Sequence, residues 1–183
     1  MRLFNRAFLV QNMLLLHGMI VASVPLLKFA VPKCGGDLRD YYRKHIAEEE
    51  GHDHMLRDDL AALGVTDIPP SFQAAKIAGS QYYLIAHEHP SALLGYMLAL
   101  ESNALNPFHV EQIERAHGTK LESFRHHAKH DPQHTIALRR QIDALSAKHQ
   151  AIVIWNHDNT IAELNAQLDF MWYCCKDKEV LNV

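Results

Sequence analysis

One spacing of ionisable residues, present twice, constrains this chain more than any other feature. Both segments have the form H-x-x-x-[ED]-x-x-H, filled by His45, Glu49 and His52 in the first and by His127, Asp131 and His134 in the second. Positions i, i+4 and i+7 share one face of an α-helix, and leucines continue that face in both segments. Because an unpaired buried charge is costly, these groups need opposite charges, hydrogen bonds or a cation. The repeat predicts two facing helices around a buried polar site.

The rest of the sequence also favours helices. The 183 residues include only 8 glycines and 7 prolines, and no segment alternates apolar and polar residues as a half-buried strand does. The length favours one domain spanning residues 1–183. A composition that is 48% hydrophobic and 21% charged argues against disorder, and a net charge of -3 provides no basic excess for nucleic acid or anionic membranes. We predict an all-α domain without nucleic-acid or membrane partners.

Glycines, prolines and capping residues divide the chain into seven predicted helices. Pro25 is expected to kink the first helix, and Pro132 is expected to begin the sixth, which could separate His127 from His134. The predicted ranges are Leu3–Val31, Asp37–Leu63, Ser71–His87, Pro90 to the residue before Pro107, 108–130, Asp131–His149 and Ile152–Cys175.

The N-terminal segment resembles a signal peptide, because Arg2 and Arg6 precede an apolar run from Met13 to Leu27. The run contains polar residues, is too short and polar to span a bilayer, and lacks a suitable cleavage site. We therefore predict a buried first helix, whose apolar face suits either core packing or a homodimer interface. The three cysteines have neither zinc-site nor disulfide spacing, which favours a cytoplasmic location.

A further carboxylate, Glu101, interrupts an otherwise apolar stretch. We interpret it as a bridging ligand, because facing helices with carboxylate-x-x-His pairs and additional Glu residues build the di-iron and di-manganese sites of helical bundles. A mixed nitrogen and oxygen donor set suits iron or manganese better than structural zinc, although zinc stays open. Two such ions would support reduction of O2 while a substrate occupies open coordination positions. This predicts a metal-dependent oxidoreductase acting on a small molecule.

Neighbouring residues have simpler explanations. His126 and His130 are expected to face away from the site and into solvent. Glu48 could exchange roles with Glu49, since it stands four residues before the second histidine of the first triplet. Glu101 could instead form a structural ion pair with an arginine.

Three segments carry family signatures in order: HIAEEEGHDHMLRDDLAALG, LGYMLALES and FRHHAKHDPQH. They resemble those of heme-oxygenase-like di-iron oxidases, in the superfamily of the TENA/THI-4 proteins and the C protein of pyrroloquinoline quinone biosynthesis. The resemblance implies an up-down seven-helix bundle, an Fe2 or Fe/Mn cofactor that activates O2, and an amino-acid-like or fatty-acid-like substrate. The metal ligands that the resemblance implies are His52, Glu101, His127, Asp131 and His134. On the second helix, Glu49 is the best candidate for the carboxylate ligand.

The chain departs from the family pattern at His45. Members often have a carboxylate at this position, seven residues before the histidine of the second helix. The resemblance therefore leaves open which groups complete the ligand set of the first metal.

Two other functions also fit the sequence. A metal-free relative could bind a small molecule in the same pocket and use Glu101, or a histidine such as His52, as a general acid or base. A non-catalytic helical binding protein would satisfy the same polar groups with buried ion pairs. In that case no open cavity should surround Glu101.

Overall fold

The computed structural model describes residues 1–178, and within this range the chain forms eight α-helices and three short 3-10 turns without a β-strand. This confirms the predicted all-α fold. The helices are α1 (Arg6–Ala30), α2 (Gly36–Glu49), α3 (His52–Ala62), α4 (Phe72–His87), α5 (Leu93–Glu101), α6 (Pro107–His117), α7 (Glu122–Asp143) and α8 (Ala147–Cys175). The second predicted helix is divided into α2 and α3. The fifth, 108–130, is divided between α6 and the first half of α7, and the sixth continues α7 rather than forming a new helix.

The first helix, α1, packs against α2, α3, α4 and α8. It contributes Leu26 to one hydrophobic cluster and Met13 to a second. The prediction that this segment is too short and too polar to span a bilayer is wrong, because by length and composition alone Arg6–Lys33 could cross a membrane. Core helices and signal sequences also pass this test. Pro25 lies inside α1, which continues to Ala30 without interruption.

The second predicted helix does not run unbroken from Asp37 to Leu63, so that prediction is wrong at its centre. α2 ends at Glu49 and α3 begins at His52, because Gly51 adopts a left-handed backbone conformation with φ of 94°. Glycine tolerates this conformation because it has no Cβ to clash. Glu49 and His52 therefore stand at a junction between two helices rather than on one continuous face.

The predicted helix boundary at Asp131 and Pro132 is also wrong, because both residues lie inside α7 (Glu122–Asp143). Proline removes one backbone hydrogen bond from a helix interior. Packing of α7 against α3, α5 and α6 offsets this loss. The continuous helix places His127, Asp131 and His134 on one face, as their spacing requires.

A close helix contact holds the beginning of α5 in place. At Gly95, a Cβ would collide with the backbone carbonyl oxygen of Val153 on α8, so the approach requires glycine. Nearby, the Asn156 side chain of α8 donates a 2.7 Å hydrogen bond to the carbonyl of Ala92. This packing positions α5, whose last residue is Glu101.

Candidate metal centre

Four of the predicted ligands meet where α2, α5 and α7 face one another. The Nε2 atom of His45 lies 3.2 Å from Oε1 of Glu101 and 3.5 Å from Oε1 of Glu49. His134 completes the group, in which one ligand atom from each residue lies within 4.8 Å of all the others. Two imidazoles and two carboxylates at this spacing can surround one metal ion.

The other three predicted ligands lie beside this group, and Glu49 contacts both sets. Its Oε2 atom lies 3.6 Å from Nδ1 of His52. The rings of His52 and His127 are 5.1 Å apart, and Nδ1 of His127 lies 3.0 Å from Oδ1 of Asp131. Glu49 therefore stands between two sets of donors and directs one carboxylate oxygen toward each.

Glu48, the alternative to Glu49, occupies a different position. Its Oε2 atom lies 3.3 Å from Nδ1 of His45, and its side chain is 31% exposed, against 10% for Glu49. Glu48 thus contacts the nitrogen of His45 that points away from Glu101. A carboxylate in this place orients an imidazole ligand rather than binding a metal itself.

Three buried atoms of the centre have no hydrogen-bond partner among the described residues: Nδ1 of His52, Oε2 of Glu101 and Nε2 of His127. Most buried polar atoms in folded proteins are paired, and an unpaired one costs about 1–3 kcal/mol. Imidazole nitrogens and carboxylate oxygens are ligands for divalent iron and manganese. The unpaired atoms and the donor set therefore fit a bound metal.

The contact between His45 and Glu101 favours a retained proton. Burial lowers the pKa of His45, but the hydrogen bond to Glu101 and the charges of the three neighbouring glutamates raise it above its ordinary value. Burial raises the pKa of Glu101, and contact with His45 offsets this only in part. Without a metal, this pair therefore holds a proton more tightly than isolated side chains do.

Contacts with the second set of donors, which is His52, His127 and Asp131, also shift pKa values. Burial lowers the pKa of His127, but the hydrogen bond to Asp131 brings it above the ordinary value. Burial raises the pKa of Glu49, whereas contact with His52 and the charges of nearby histidines bring it below the ordinary value. Glu49 is therefore a carboxylate at neutral pH, which is the form that binds metals.

A cavity of about 580 Å³ opens onto the centre. Apolar side chains from α1, α5 and α8 form most of its wall, and the predicted ligands that line it are His45, Glu49, Glu101, His127 and Asp131. Ligand-binding cavities commonly combine an apolar wall with a few polar groups. An open cavity beside Glu101 is contrary to what the non-catalytic alternative predicts.

Sequence reasoning missed several groups at the centre. The prediction that His126 faces away is wrong, since its ring lies 4.6 Å from that of His52, whereas the half-buried ring of His130 stacks on that of His126. The hydroxyls of Tyr41 and Tyr96 are buried, and neither has a hydrogen-bond partner in the part of the chain that the structure describes. Only Tyr41 had a signal in the sequence, because it stands four residues before a predicted ligand.

Comparison with known proteins identifies the family. A sequence profile described as iron-containing redox enzyme matches residues 6–159, a range that includes every predicted ligand. The chain belongs to the iron-containing redox enzyme family. No curated protein matches its sequence.

A solved structure supports the fold of this member of the iron-containing redox enzyme family. A domain of unknown function with a heme oxygenase-like fold, from Shewanella denitrificans OS217, superposes with a TM-score of 0.76 at 18% sequence identity. The alignment covers 92% of this chain and 78% of that one. The family profile and this fold together confirm the resemblance of the three signature segments and the predicted heme-oxygenase-like architecture.

Proposed function

We propose that this protein is an O2-dependent oxidase or oxygenase that holds two metal ions, either two irons or iron with manganese. The observation that carries the proposal is the position of Glu49 between two donor sets that retain unpaired buried atoms. Bound iron would supply electrons for the reduction of O2.

The donor sets suggest how the ligands divide between the ions. Glu49 would serve both ions, and the remaining ligands would be His45, Glu101 and His134 for one and His52, His127 and Asp131 for the other. The cluster contains no cysteine, whereas structural zinc sites are commonly rich in cysteine. The mixture of imidazole and carboxylate therefore supports iron or manganese.

The cavity favours a fatty-acid-like substrate over an amino-acid-like one. Its wall includes Leu26, Leu27 and Leu93, each at most 2% exposed, and these side chains would bury an apolar chain. Apolar burial contributes roughly 25 cal/mol for each Å² removed from water. Tyr96 also lines the cavity. Its hydroxyl has no partner within residues 1–178 and is available to donate a hydrogen bond to a polar group of the substrate.

Metal analysis of protein produced with added iron tests the proposal. Wild-type protein should contain about two metal ions per chain, as carboxylate-bridged bundles do. His134→Ala should lose at least one of them, because it removes an imidazole from the first donor set. His109→Gln, which changes a half-buried histidine on α6, should retain the wild-type content. No metal in wild-type protein after anaerobic reconstitution with ferrous iron would contradict the proposal.

A metal-free enzyme is the second candidate, and the raised pKa of Glu101 beside the cavity favours it. A protonated carboxyl group at this position could act as a general acid toward a bound substrate. This candidate predicts activity that survives a chelator but is lost in Glu101→Gln. The two-metal proposal predicts that the chelator abolishes activity.

A further inference from the structure

The metal centre has a second side, on which histidines continue from the predicted ligands toward the surface of α7. The ring of His126 lies 4.6 Å from that of His52, and the ring of His130 lies 4.5 Å from that of His126. His126 and His130 stand at i and i+4, so both rings lie on the same side of α7. These three side chains form a continuous file, which we call the histidine file.

The histidine file runs from the interior to the surface. His52 is 4% exposed, whereas His126 and His130 are both half-buried. At the inner end, Nδ1 of His52 is buried and has no hydrogen-bond partner among the described residues. The file therefore ends inside the protein on a nitrogen that is available to bind a cation.

The file is separate from the substrate cavity. The described residues that line the cavity include Glu49, Glu101, His127 and Asp131 but none of the three members of the file. The mostly apolar cavity wall is a poor path for a hydrated divalent cation, because losing water without replacement ligands is costly. Imidazoles provide such replacement ligands for first-row divalent metals.

We propose that His130 and His126 form the route by which divalent metal enters the centre from solvent. The metal exchanges water for the imidazole of His130, passes to His126, and reaches His52 without leaving nitrogen ligands. The proposal rests on the two-metal function, since it supplies the ions that the function requires. It assigns the apolar cavity to the substrate and the histidine file to the metal.

The rate of cobalt uptake tests the route separately from the final metal content. Chelator-treated full-length protein is mixed with Co²⁺, and the visible absorption bands of the bound ion are followed in time. His130→Gln and His126→Gln should slow uptake by about tenfold or more, the scale on which groups beyond the direct ligands affect metal sites. The matched control is His109→Gln, which replaces a half-buried histidine on α6. This variant should take up cobalt at the wild-type rate.

A second replacement separates a metal-binding role from simple ring stacking. His130→Cys keeps a metal-binding atom but removes the ring, so it should restore most of the uptake rate that His130→Gln loses. Circular dichroism confirms that each variant is folded. If His130→Cys is as slow as His130→Gln, the ring matters for packing and the route is wrong.

The remaining outcomes distinguish this inference from the function on which it rests. Equal uptake rates for wild type, His130→Gln and His126→Gln, with wild-type stoichiometry, would overturn the route and leave the two-metal function intact. Slow uptake with unchanged final stoichiometry supports the route. No cobalt bound by wild-type protein would overturn both.

Discussion

At the scale of single residues, Glu48 and Glu49 allow one substitution to be compared at adjacent positions. Glu49 contacts His45 and His52 with its two carboxylate oxygens, whereas Glu48 contacts His45 with one oxygen and Lys44 with the other. We expect Glu49→Gln to lower the content of both metals, because the amide has only one uncharged oxygen to offer. Metal analysis after anaerobic reconstitution measures the effect.

Glu48→Gln is the control for this prediction. It should leave two ions bound and weaken affinity by about tenfold at most, the low end of the range for groups that orient a ligand. If Glu49→Gln loses only one ion per chain, Glu49 serves one ion rather than two.

The pKa shifts predict how the stability of metal-free protein depends on pH. The pKa values of His45, His127 and Glu101 are raised in the folded state, so each favours folding below its ordinary pKa and loses that contribution as pH rises through the raised value. Burial, with the charges of neighbouring histidines, lowers the pKa of His126 to about 4. His126 therefore makes stability depend on pH only below its ordinary pKa of 6.5, and it does not change the trend above that pH. The free energy of unfolding should therefore fall from pH 6.5 to pH 8.

Urea unfolding of chelator-treated protein at several pH values measures this trend. His45→Gln should make the trend shallower, because it removes one of the raised groups. Added metal should reverse the trend, since binding requires deprotonated ligands and strengthens as pH rises. A metal-free protein that becomes more stable over this range would show that the assigned shifts have the wrong sign.

The sequence predicted some of these residues and not others for a physical reason. The two triplets and Glu101 were visible because ionisable groups at helical spacing, or alone in an apolar stretch, imply a buried partner. His126 was not, because it precedes a predicted ligand by one residue and so points to a different side of α7. Its contact with His52 depends on how α3 crosses α7, which no local spacing encodes.

At the scale of helices, the buried side chain of Asp59 joins α3 and α7, the two helices that carry the second donor set. Asp59 of α3 accepts hydrogen bonds from the backbone N–H groups of Glu122 and Ser123, at 2.9 and 2.8 Å, and from the Ser123 hydroxyl. Asp59 therefore caps the beginning of α7 from a neighbouring helix. This contact fixes the distance between His52 on α3 and His127 on α7.

Asp59→Ala should lower the free energy of unfolding by about 2–3 kcal/mol, since it removes a cap and hydrogen bonds to a charged group. It should also weaken the metal held by His52 and His127. Asp59→Asn keeps one acceptor oxygen and should lose less. Asp58→Ala, at an exposed neighbouring position, is the control. Urea unfolding and metal titration would reject the role of Asp59 if both alanine variants behaved alike.

Helix boundaries were less predictable than helix content. Gly51 lies within a segment of otherwise helical pattern, and only its left-handed backbone reveals the break between α2 and α3. Asp131 and Pro132 together resemble a helix start, yet tertiary packing keeps them inside α7. The two errors have different causes. At Gly51 the local conformational freedom of glycine interrupts an otherwise helical pattern, whereas at Asp131 and Pro132 local propensity is weaker than the packing of a long helix.

At the scale of the whole molecule, the cavity extends along α1 past the metal centre. Residues from Phe8 to Leu27 line it, which corresponds to roughly 28 Å of helix at 1.5 Å per residue. Met1, which is 53% exposed, stands at one end of this lining, whereas Leu26, Leu27 and Leu93 are buried. An elongated apolar substrate would enter from the Met1 end and stop against these leucines.

A larger side chain inside the cavity should therefore shorten the longest substrate chain that binds. Ala99 is fully buried on α5 and lines the cavity, so Ala99→Leu fills space that a substrate would occupy. Each methylene that can no longer be buried should cost about 0.8 kcal/mol of affinity. Competition between a fluorescent fatty acid and saturated carboxylates of increasing length measures the change. Ala75→Leu, on the exposed side of α4, should leave the length preference unchanged. The same preference in folded Ala99→Leu protein would mean that the substrate chain does not occupy this cavity.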